Sequence, residues 1–254
     1  MSAVNSGLRT IDKWPQNTYL LIPSYKSAEP LKRFIDTLLT EFVPKKHLFI
    51  VDDASKDGTY EMCGSNGIEC LRHEKNRGKG KALKTGFTHL ITHKKARWIL
   101  TMDADGQHSP SDINLFLNKA IKYPTTGICI GARNMRPGIM PLARIFSNRL
   151  TSIIMTLFTG VRIKDSQCGY RLYSAELINS IDIEYERFEM ESEVIMKAAA
   201  KKFPVHFVPV QTLYLKGPSH ISHLADTLRW VKAVTALWYK INFFKKRKQR
   251  NTIR

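Results

Sequence analysis

Cysteine, acidic residues and long apolar runs are all scarce in this sequence, and each scarcity excludes something. Only four cysteines, Cys63, Cys70, Cys129 and Cys168, occur in 254 residues, at spacings of 7, 59 and 39. No CxxC pair and no His/Cys cluster with zinc spacing is present, so neither a disulfide framework nor a zinc module is expected, and the thiols are read as reduced. The first fifteen residues, MSAVNSGLRTIDKWP, lack the apolar stretch of about 7–15 residues that a secretory signal carries. No run of about 18 apolar residues is available to span a bilayer. The expectation is a cytoplasmic protein that does not cross a membrane. Asp and Glu total 22 against 40 Lys and Arg, a formal net charge of +18, which draws a chain to phosphates, nucleic acid or anionic lipid. With 14 Gly, 11 Pro and 43% hydrophobic residues, collagen-like and disordered compositions are excluded. No internal repeat and no low-complexity segment precedes the basic C-terminal tail.

What is present is an alternation. Short apolar runs at Tyr19–Ile22, His47–Val51, Ile68–Arg72, Trp98–Met102 and Gly127–Gly131 are each followed by a polar loop and then a helical period. Leu31, Phe34, Ile35, Leu38, Leu39 and Phe42 mark one helical face, with Pro30 in its first turn. Ser109-Pro110-Ser111-Asp112 has the form of a helix start with Ser109 as cap. Strands alternating with helices predict a mainly parallel sheet covered on both faces, whose ligands sit at the carboxyl ends of the strands. Chemically useful residues do follow the runs directly: Pro23-Ser24-Tyr25, Asp52-Asp53, His73 to Gly80, and Asp103-Ala104-Asp105. After Gly131 the pattern changes to Arg-bearing amphipathic stretches at 142–158 and 221–244, and the two halves are expected to share one core.

Asp103 and Asp105 flank one alanine at a strand end, ahead of Gly106 and Gln107. Two carboxylates so placed repel unless a cation joins them, and a hard ion, Mg²⁺ or Mn²⁺, would complete its shell with phosphate oxygens. A solvated turn is the plain alternative. Asp52 and Asp53 can accept hydrogen bonds from a ribose or a base, whereas Asp57 serves equally as a helix cap beside Gly58. Residues 72–97 hold nine Lys or Arg and one Glu. Within them, Asn76-Arg77-Gly78-Lys79-Gly80-Lys81 pairs glycines with cations at a helix start, which suits phosphate with Lys79 as candidate donor contact, a solvated basic face being the plain alternative. It matches neither a P-loop nor a dinucleotide GxGxxG.

Taken in order, IPSY, VDDASKDGT, NRGKGKALKTGF, MDADGQH and DSQCGYRLY resemble the family-2 glycosyltransferases of GT-A fold, and most closely the dolichyl-phosphate and polyprenyl-phosphate sugar synthase branch. The resemblance covers about residues 18–235. It implies a Rossmann-like three-layer α/β sandwich with a mainly parallel sheet, plus C-terminal amphipathic helices. The corresponding organisation is an N-terminal extension at 1–17, a GT-A domain at 18–220 whose nucleotide-sugar half ends near 131, an interfacial helix at 221–244, and a basic tail at 245–254. It implies that Pro23, Tyr25, Asp52 and Asp53 hold the nucleoside, that Asp103, Asp105 and Gln107 hold metal and diphosphate, and that the anomeric carbon is inverted by direct attack. One departure is Lys26-Ser27 where the family often has Asn-Glu after the tyrosine, so no nucleotide contact is assigned there and Glu29 is read as a first-turn helix acid.

For a lipid-phosphate acceptor no base is needed, and Arg133, Arg144 and Ser147 match positions that this branch uses around the acceptor phosphate; surface arginines beside an amphipathic helix are the plain alternative. His220 and Arg229 match a segment near the donor phosphates. For a hydroxyl acceptor a carboxylate must take the proton, and Asp165 is the first candidate, with Glu189 and Glu191 behind it; orienting the turn is the plain alternative for Asp165. Cys168 is read as a packed small hydrophobe. Leu150, Ile153, Ile154, Leu157 and Phe158, and then Leu228 to Tyr239 followed by Phe243-Phe244 and Lys245, Lys246, Arg247, Lys248, Arg250 and Arg254, suit helices lying at an anionic membrane surface. The same helices could instead cover the sheet or join two copies. The expected partners are therefore a nucleotide-sugar (UDP- or GDP-linked), a lipid-linked or membrane-associated acceptor and the cytoplasmic face of a membrane. A nucleic-acid-binding role is the competing class; acidic loops at the rim and the lack of helix-turn-helix, RNP or zinc patterns argue against it. A silent nucleotide-sugar binder is a third, and the presence of both DxD carboxylates and DSQCGYR argues against that. Sugar, base, exact acceptor and oligomeric state are left open by spacing.

Overall fold

A computed structural model of the chain describes residues 14–213 and 223–252, with side chains placed in 14–213 and 229–243. Each of the five apolar runs is a strand: β1 (Thr18–Ser24), β2 (Leu48–Asp52), β3 (Glu69–Arg72), β4 (Trp98–Thr101) and β5 (Ile128–Arg133). With β6 (Arg171–Ser174) and β7 (Val205–Val210) they form a seven-stranded sheet in the order β3-β2-β1-β4-β6-β5-β7. Successive strand residues face opposite sides. Leu20, Leu21 and Ile22 on β1, and Ile99 and Leu100 on β4, are all inaccessible, so helices and loops cover both faces of the sheet's centre. The sheet spans both halves of the chain, and a single apolar cluster runs from Leu20 to Leu237.

The helices are α1 (Ala28–Thr37), α2 (Thr59–Ser65), α3 (Lys79–Lys94), α4 (Ile113–Lys122), α5 (Leu142–Thr159), α6 (Ala175–Ser180), α7 (Glu189–Ala200) and α8 (His223–Thr252). On α1 the expected apolar face is real: Leu31 and Ile35 are buried, and Leu38 closes the face in a π-helical turn, Leu38–Phe42. Ser109 departs from its expected role. Its hydroxyl pairs with the Ser111 hydroxyl at 2.8 Å, the chain makes a 3₁₀ turn at Pro110–Asp112, and Asp112 is turned inward to accept the Gln211 N–H at 2.7 Å. The basic tail expected from residue 245 continues α8 to Thr252 rather than starting a separate segment. His220, matched by the resemblance to a segment near the donor phosphates, and most of the N-terminal extension lie outside the described residues; Trp14 is described, packs on the core and donates to the Thr18 carbonyl at 2.6 Å.

One strand decides where the chemistry sits. β6 runs antiparallel to both β4 and β5, while all other pairings are parallel. Arg171 at the start of β6 lies opposite Thr101 at the end of β4. The segment 165–170 therefore enters the sheet at the same rim where β1, β2, β4 and β5 end, and the two halves of the chain meet there.

The first two rim loops are stitched together. Lys26 N donates to Ser55 Oγ at 2.8 Å, Ser27 N to Thr59 Oγ1 at 3.3 Å, and Ala28 N to Asp57 Oδ2 at 3.0 Å. This holds Lys26 at φ 53°, in the left-handed region, where lysine costs roughly 1–2 kcal/mol and asparagine less. Lys26→Asn is expected to raise unfolding free energy by up to about 1 kcal/mol; urea unfolding of the two proteins measures it.

Candidate active site

The VDDASKDGT loop follows β2, and its carboxylates turn mostly inward. Asp52 is inaccessible; its Oδ1 accepts the Ser55 N–H at 3.1 Å and its Oδ2 stands 3.3 Å from Arg72 Nε. Asp53 organises the next loop: it accepts the Arg77 N–H at 2.9 Å and the Gly78 N–H at 2.7 Å, and lies 2.6 Å from His73 Nδ1. Asp57 accepts from Thr59 N at 3.2 Å and from Thr59 Oγ1 at 2.6 Å, so it ties the start of α2 to that of α1. Both glycines of NRGKG serve a close approach between segments. A Cβ on Gly80 would stand 2.5 Å from the Arg187 carbonyl oxygen, and Lys81 N donates to the Glu186 carbonyl at 2.8 Å. The start of α3 is thus pressed against residues 186–190, which lead into α7. Pro23 is buried at the end of β1 and the Tyr25 ring is 45% exposed at the rim beside these loops.

The centre of the rim is a charge cluster. Lys79, the first residue of α3, places Nζ 2.7 Å from Asp103 Oδ1 and 3.2 Å from Glu191 Oε2. His108 Nε2 lies 3.4 Å from Asp103 Oδ2. Burial opposes the charge on Asp103, but the Lys79 ammonium and the His108 ring outweigh it and hold the carboxyl well below the usual carboxylate range. Burial likewise opposes the Lys79 charge, and Asp103 and Glu191 together push its ammonium above the usual lysine range. The wall behind the cluster is Gly169: a Cβ there would fall 2.4 Å from Asp103 Oδ2 and 2.8 Å from Lys79 Nζ. Arg171 is fully buried, donating to the carbonyls of Cys168 at 2.6 Å, Glu191 at 2.7 Å and Ser166 at 2.9 Å. It locks the DSQCGYR segment to the first turn of α7.

Asp105 is exposed; its Oδ1 accepts the Gln107 N–H at 2.9 Å, and Gln107 in turn accepts from Leu213 N at 2.9 Å. Among the described residues no group of three or more His, Cys, Asp or Glu is arranged to hold a metal ion. Asp103 and Asp105 are oxygen donors, the first partly buried and the second exposed. That donor set fits the kind of site in which one or two carboxylates hold Mg²⁺ or Mn²⁺ and substrate phosphates complete the shell.

Asp165 has a different job from the one expected of a base. It is wholly buried; its oxygens take Arg133 Nε at 2.8 Å, Arg133 Nη2 at 3.0 Å and Asn148 Nδ2 at 2.8 Å. Burial works against its charge, but Arg133 and Asn148 prevail and hold its pKa below the ordinary value. A carboxylate so committed is a poor proton acceptor. What it does is fix Arg133 at the end of β5 and anchor α5 through Asn148. Ser147 accepts from Gln167 Nε2 at 3.2 Å, and Arg144, half-buried, makes no ion pair among the described residues. Cys168 is packed beside Gly131, and burial pushes its thiol up to about 12, as expected of a small hydrophobe. A cavity of about 400 Å³ lies between Tyr185–Glu189 and α8, with Arg187, Glu189, Arg229 and Lys232 in its wall.

The structure brings Lys79, Asp103, Asp105 and Gln107 to one place, with Tyr25, Asp52 and Asp53 in the adjoining loops. Sequence reasoning missed Glu191 as the partner of Lys79, His108 as a neighbour of Asp103, and Arg171 as a buried tie. The place of Arg171 in the DSQCGYRLY motif was the one available signal for it.

The profile of the family described as Glycosyl transferase family 2 matches residues 19–181. The UDP-N-acetylglucosamine–dolichyl-phosphate N-acetylglucosaminyltransferase of Methanococcus voltae is 30% identical over 218 residues, covering 77% of this chain and 85% of that protein. The polyprenol monophosphomannose synthase of Mycolicibacterium smegmatis is 25% identical over 207 residues, covering 77% of each. Among solved structures, glucosyl-3-phosphoglycerate synthase from Mycobacterium tuberculosis, in complex with Mn²⁺, UDP and phosphoglyceric acid, superposes with a TM-score of 0.67 at 15% identity, over 88% of this chain and 78% of that one. That likeness carries the fold.

The Asp165–Arg133 pair makes a pH-dependent prediction. Because the folded-state pKa of Asp165 is depressed, its stabilising contribution is complete above the unfolded value of about 3.9 and is lost as pH falls through the folded value. At pH 7 Asp165→Asn is expected to cost about 3 kcal/mol, since Arg133 loses its buried partner. The gap between variant and parent narrows below about pH 4. Urea midpoints measured across pH check both the size and the direction.

Proposed function

The chain belongs to glycosyl transferase family 2, and on that premise we propose that it moves a sugar from a nucleoside-diphosphate donor to a polyprenyl phosphate at a membrane surface. The observation that carries the reading is the pair Asp103 and Asp105 at the end of β4, beside Lys79 at the start of α3, on the rim where the parallel strands end. Relatives named for dolichyl- and polyprenol-phosphate transfer support the acceptor class.

In this reading Pro23, Tyr25 and the Asp52-Asp53 loop bound the nucleoside. Asp53 acts there by shaping the 73–78 backbone. Lys79, Asp103, Asp105 and Gln107 receive the diphosphate, with Mg²⁺ or Mn²⁺ held by Asp103 and Asp105. The ion, when bound, stabilises the negative charge that builds on the departing diphosphate. An acceptor phosphate oxygen attacks the anomeric carbon as its bond to the diphosphate breaks, inverting that carbon and releasing the nucleoside diphosphate. Arg133, Arg144 and Ser147 are assigned to orient the acceptor phosphate, with Asp165 positioning Arg133. A phosphate acceptor is favoured over a hydroxyl because Asp165 and Glu191, two of the three carboxylates that could serve as base, are already committed to cations. A phosphate is ionised at neutral pH and requires no base.

The membrane side of the proposal rests on α5 and α8. Leu142, Phe146, Leu150, Ile153 and Leu157 form an exposed stripe on α5, with Phe146 71% and Leu157 74% accessible. Phe158 and Trp238, with ring centroids 5.3 Å apart, join it to α8, where Tyr239 and Phe243 are exposed. No acidic residue lies between Asp112 and Asp165 or after Asp226 in the sequence, and the acid that reaches α8 at Lys240 is Glu184 from another segment; this basic bias suits the anionic cytoplasmic leaflet. Among the described residues no helix is long and apolar enough to cross a membrane.

Incubation with UDP- and GDP-sugars, Mn²⁺ and polyprenyl phosphate tests the reading. The expected result is lipid-linked sugar and nucleoside diphosphate formed together, abolished by chelator and reduced about 100-fold in Asp105→Ala with the unfolding curve unchanged. Turnover that persists in chelator, or transfer to a polyprenol that lacks the phosphate, would overturn it.

A further inference from the structure

Lys79 occupies one of the two oxygens of Asp103 that a metal ion would use. Its Nζ sits 2.7 Å from Asp103 Oδ1 and 3.2 Å from Glu191 Oε2, in a pocket that leaves the lysine side chain 18% and Glu191 9% exposed. Gly169 closes one side so tightly that no side chain fits there. Glu191 is itself fixed from behind: Arg171 Nε stands 3.7 Å from its Oε1, and the same guanidinium is pinned by three backbone carbonyls. That Oε1 is buried and accepts no hydrogen bond. The ammonium thus has two carboxylates within reach, one partly exposed at the rim two residues before Asp105 and the other set back in the protein with unused acceptor capacity.

A divalent ion on Asp103 would share a carboxylate with this ammonium, and two cations so close repel. We propose that Lys79 is the resident counter-cation of Asp103, which withdraws toward Glu191 when metal and donor diphosphate arrive together. Glu191 is then a positioning residue that acts through Lys79. The inference rests on the assignment of Asp103 and Asp105 as the metal-holding pair. Its consequence is that the protein alone holds a divalent ion poorly, because the added positive charge is balanced only when the diphosphate brings its own negative charge. Metal and donor then bind as a unit.

The test is a Mn²⁺ titration of the full chain without nucleotide, with free Mn²⁺ read from its electron paramagnetic resonance signal. Lys79→Met and Lys79→Gln are each expected to bind Mn²⁺ about tenfold more tightly than the parent, and Lys79→Arg to bind as weakly as the parent. Glu191→Gln is expected to bind about tenfold more weakly, and that loss should largely vanish when combined with Lys79→Met. Opposite signs for Lys79 and Glu191 variants, and a non-additive double variant, are not results that general loosening of the site can produce. Equal or weaker Mn²⁺ binding in both neutral Lys79 variants overturns the proposal. Asp105→Asn separates the two levels: if it leaves parental Mn²⁺ binding intact, the metal assignment fails and the proposal with it. If Asp105→Asn weakens binding while the Lys79 variants change nothing, only the counter-cation role fails.

Discussion

A lysine ammonium held between two carboxylates at the end of β4 is the contact on which the rim depends. Each partner comes from a different part of the chain: Lys79 from the start of α3, Asp103 from the loop after β4, Glu191 from the first turn of α7. To bring them together the fold must reverse one strand, because only an antiparallel β6 delivers Gly169 and Arg171 to the same edge as Asp103. It must also leave out two side chains, at Gly80 and Gly169, where backbone passes within contact distance of the cluster and its supports. Arg171 then converts a loop into a wall. A buried guanidinium with three carbonyl partners is costly to desolvate and costly to disturb, which suits a segment that has to be rigid.

Charge is partitioned across the molecule, and the partition explains how so basic a chain can hold acids at its centre. The rim gathers Asp52, Asp53, Asp103, Asp105 and Glu191, each matched to a cation, a backbone donor or solvent. The surface built from α5 and α8 carries cations beside exposed apolar side chains and no acids in its stretch of sequence. A polyanion such as nucleic acid would meet carboxylates at the rim. A nucleoside diphosphate accompanied by a divalent ion would not be repelled, because the ion reverses the local sign. On the proposed reading a lipid-borne phosphate would be met by Arg133, which Asp165 holds in place.

Much of this was legible in the sequence because strand and helix periods leave clear marks. All five apolar runs are strands, and the order of motifs on the parallel strands placed four loops on one rim. Neither β6 nor its direction was legible: RLYS is too short and mixed to stand out as a strand, and only pairing with β4 and β5 sets which way it runs. The orientation of carboxylates was equally hidden. Asp53 looks like a ligand contact in VDDAS, yet its oxygens are taken by backbone N–H groups more than twenty residues away, and Asp165 looks like a base until Arg133 is seen upon it. Glu191 could not be paired with Lys79 from spacing, since 112 residues separate them. Lys26, by contrast, marks a place where the family's usual residue and the backbone's left-handed angle agree and this chain differs.

The most direct test of the account is a crystal soaked with manganese and UDP, examined by anomalous scattering. The account predicts a manganese peak between Asp103 and Asp105 in contact with the diphosphate, with the Lys79 ammonium drawn away from Asp103 toward Glu191. A nucleotide bound elsewhere, or a rim in which Lys79 remains on Asp103 with no anomalous peak beside it, would contradict it.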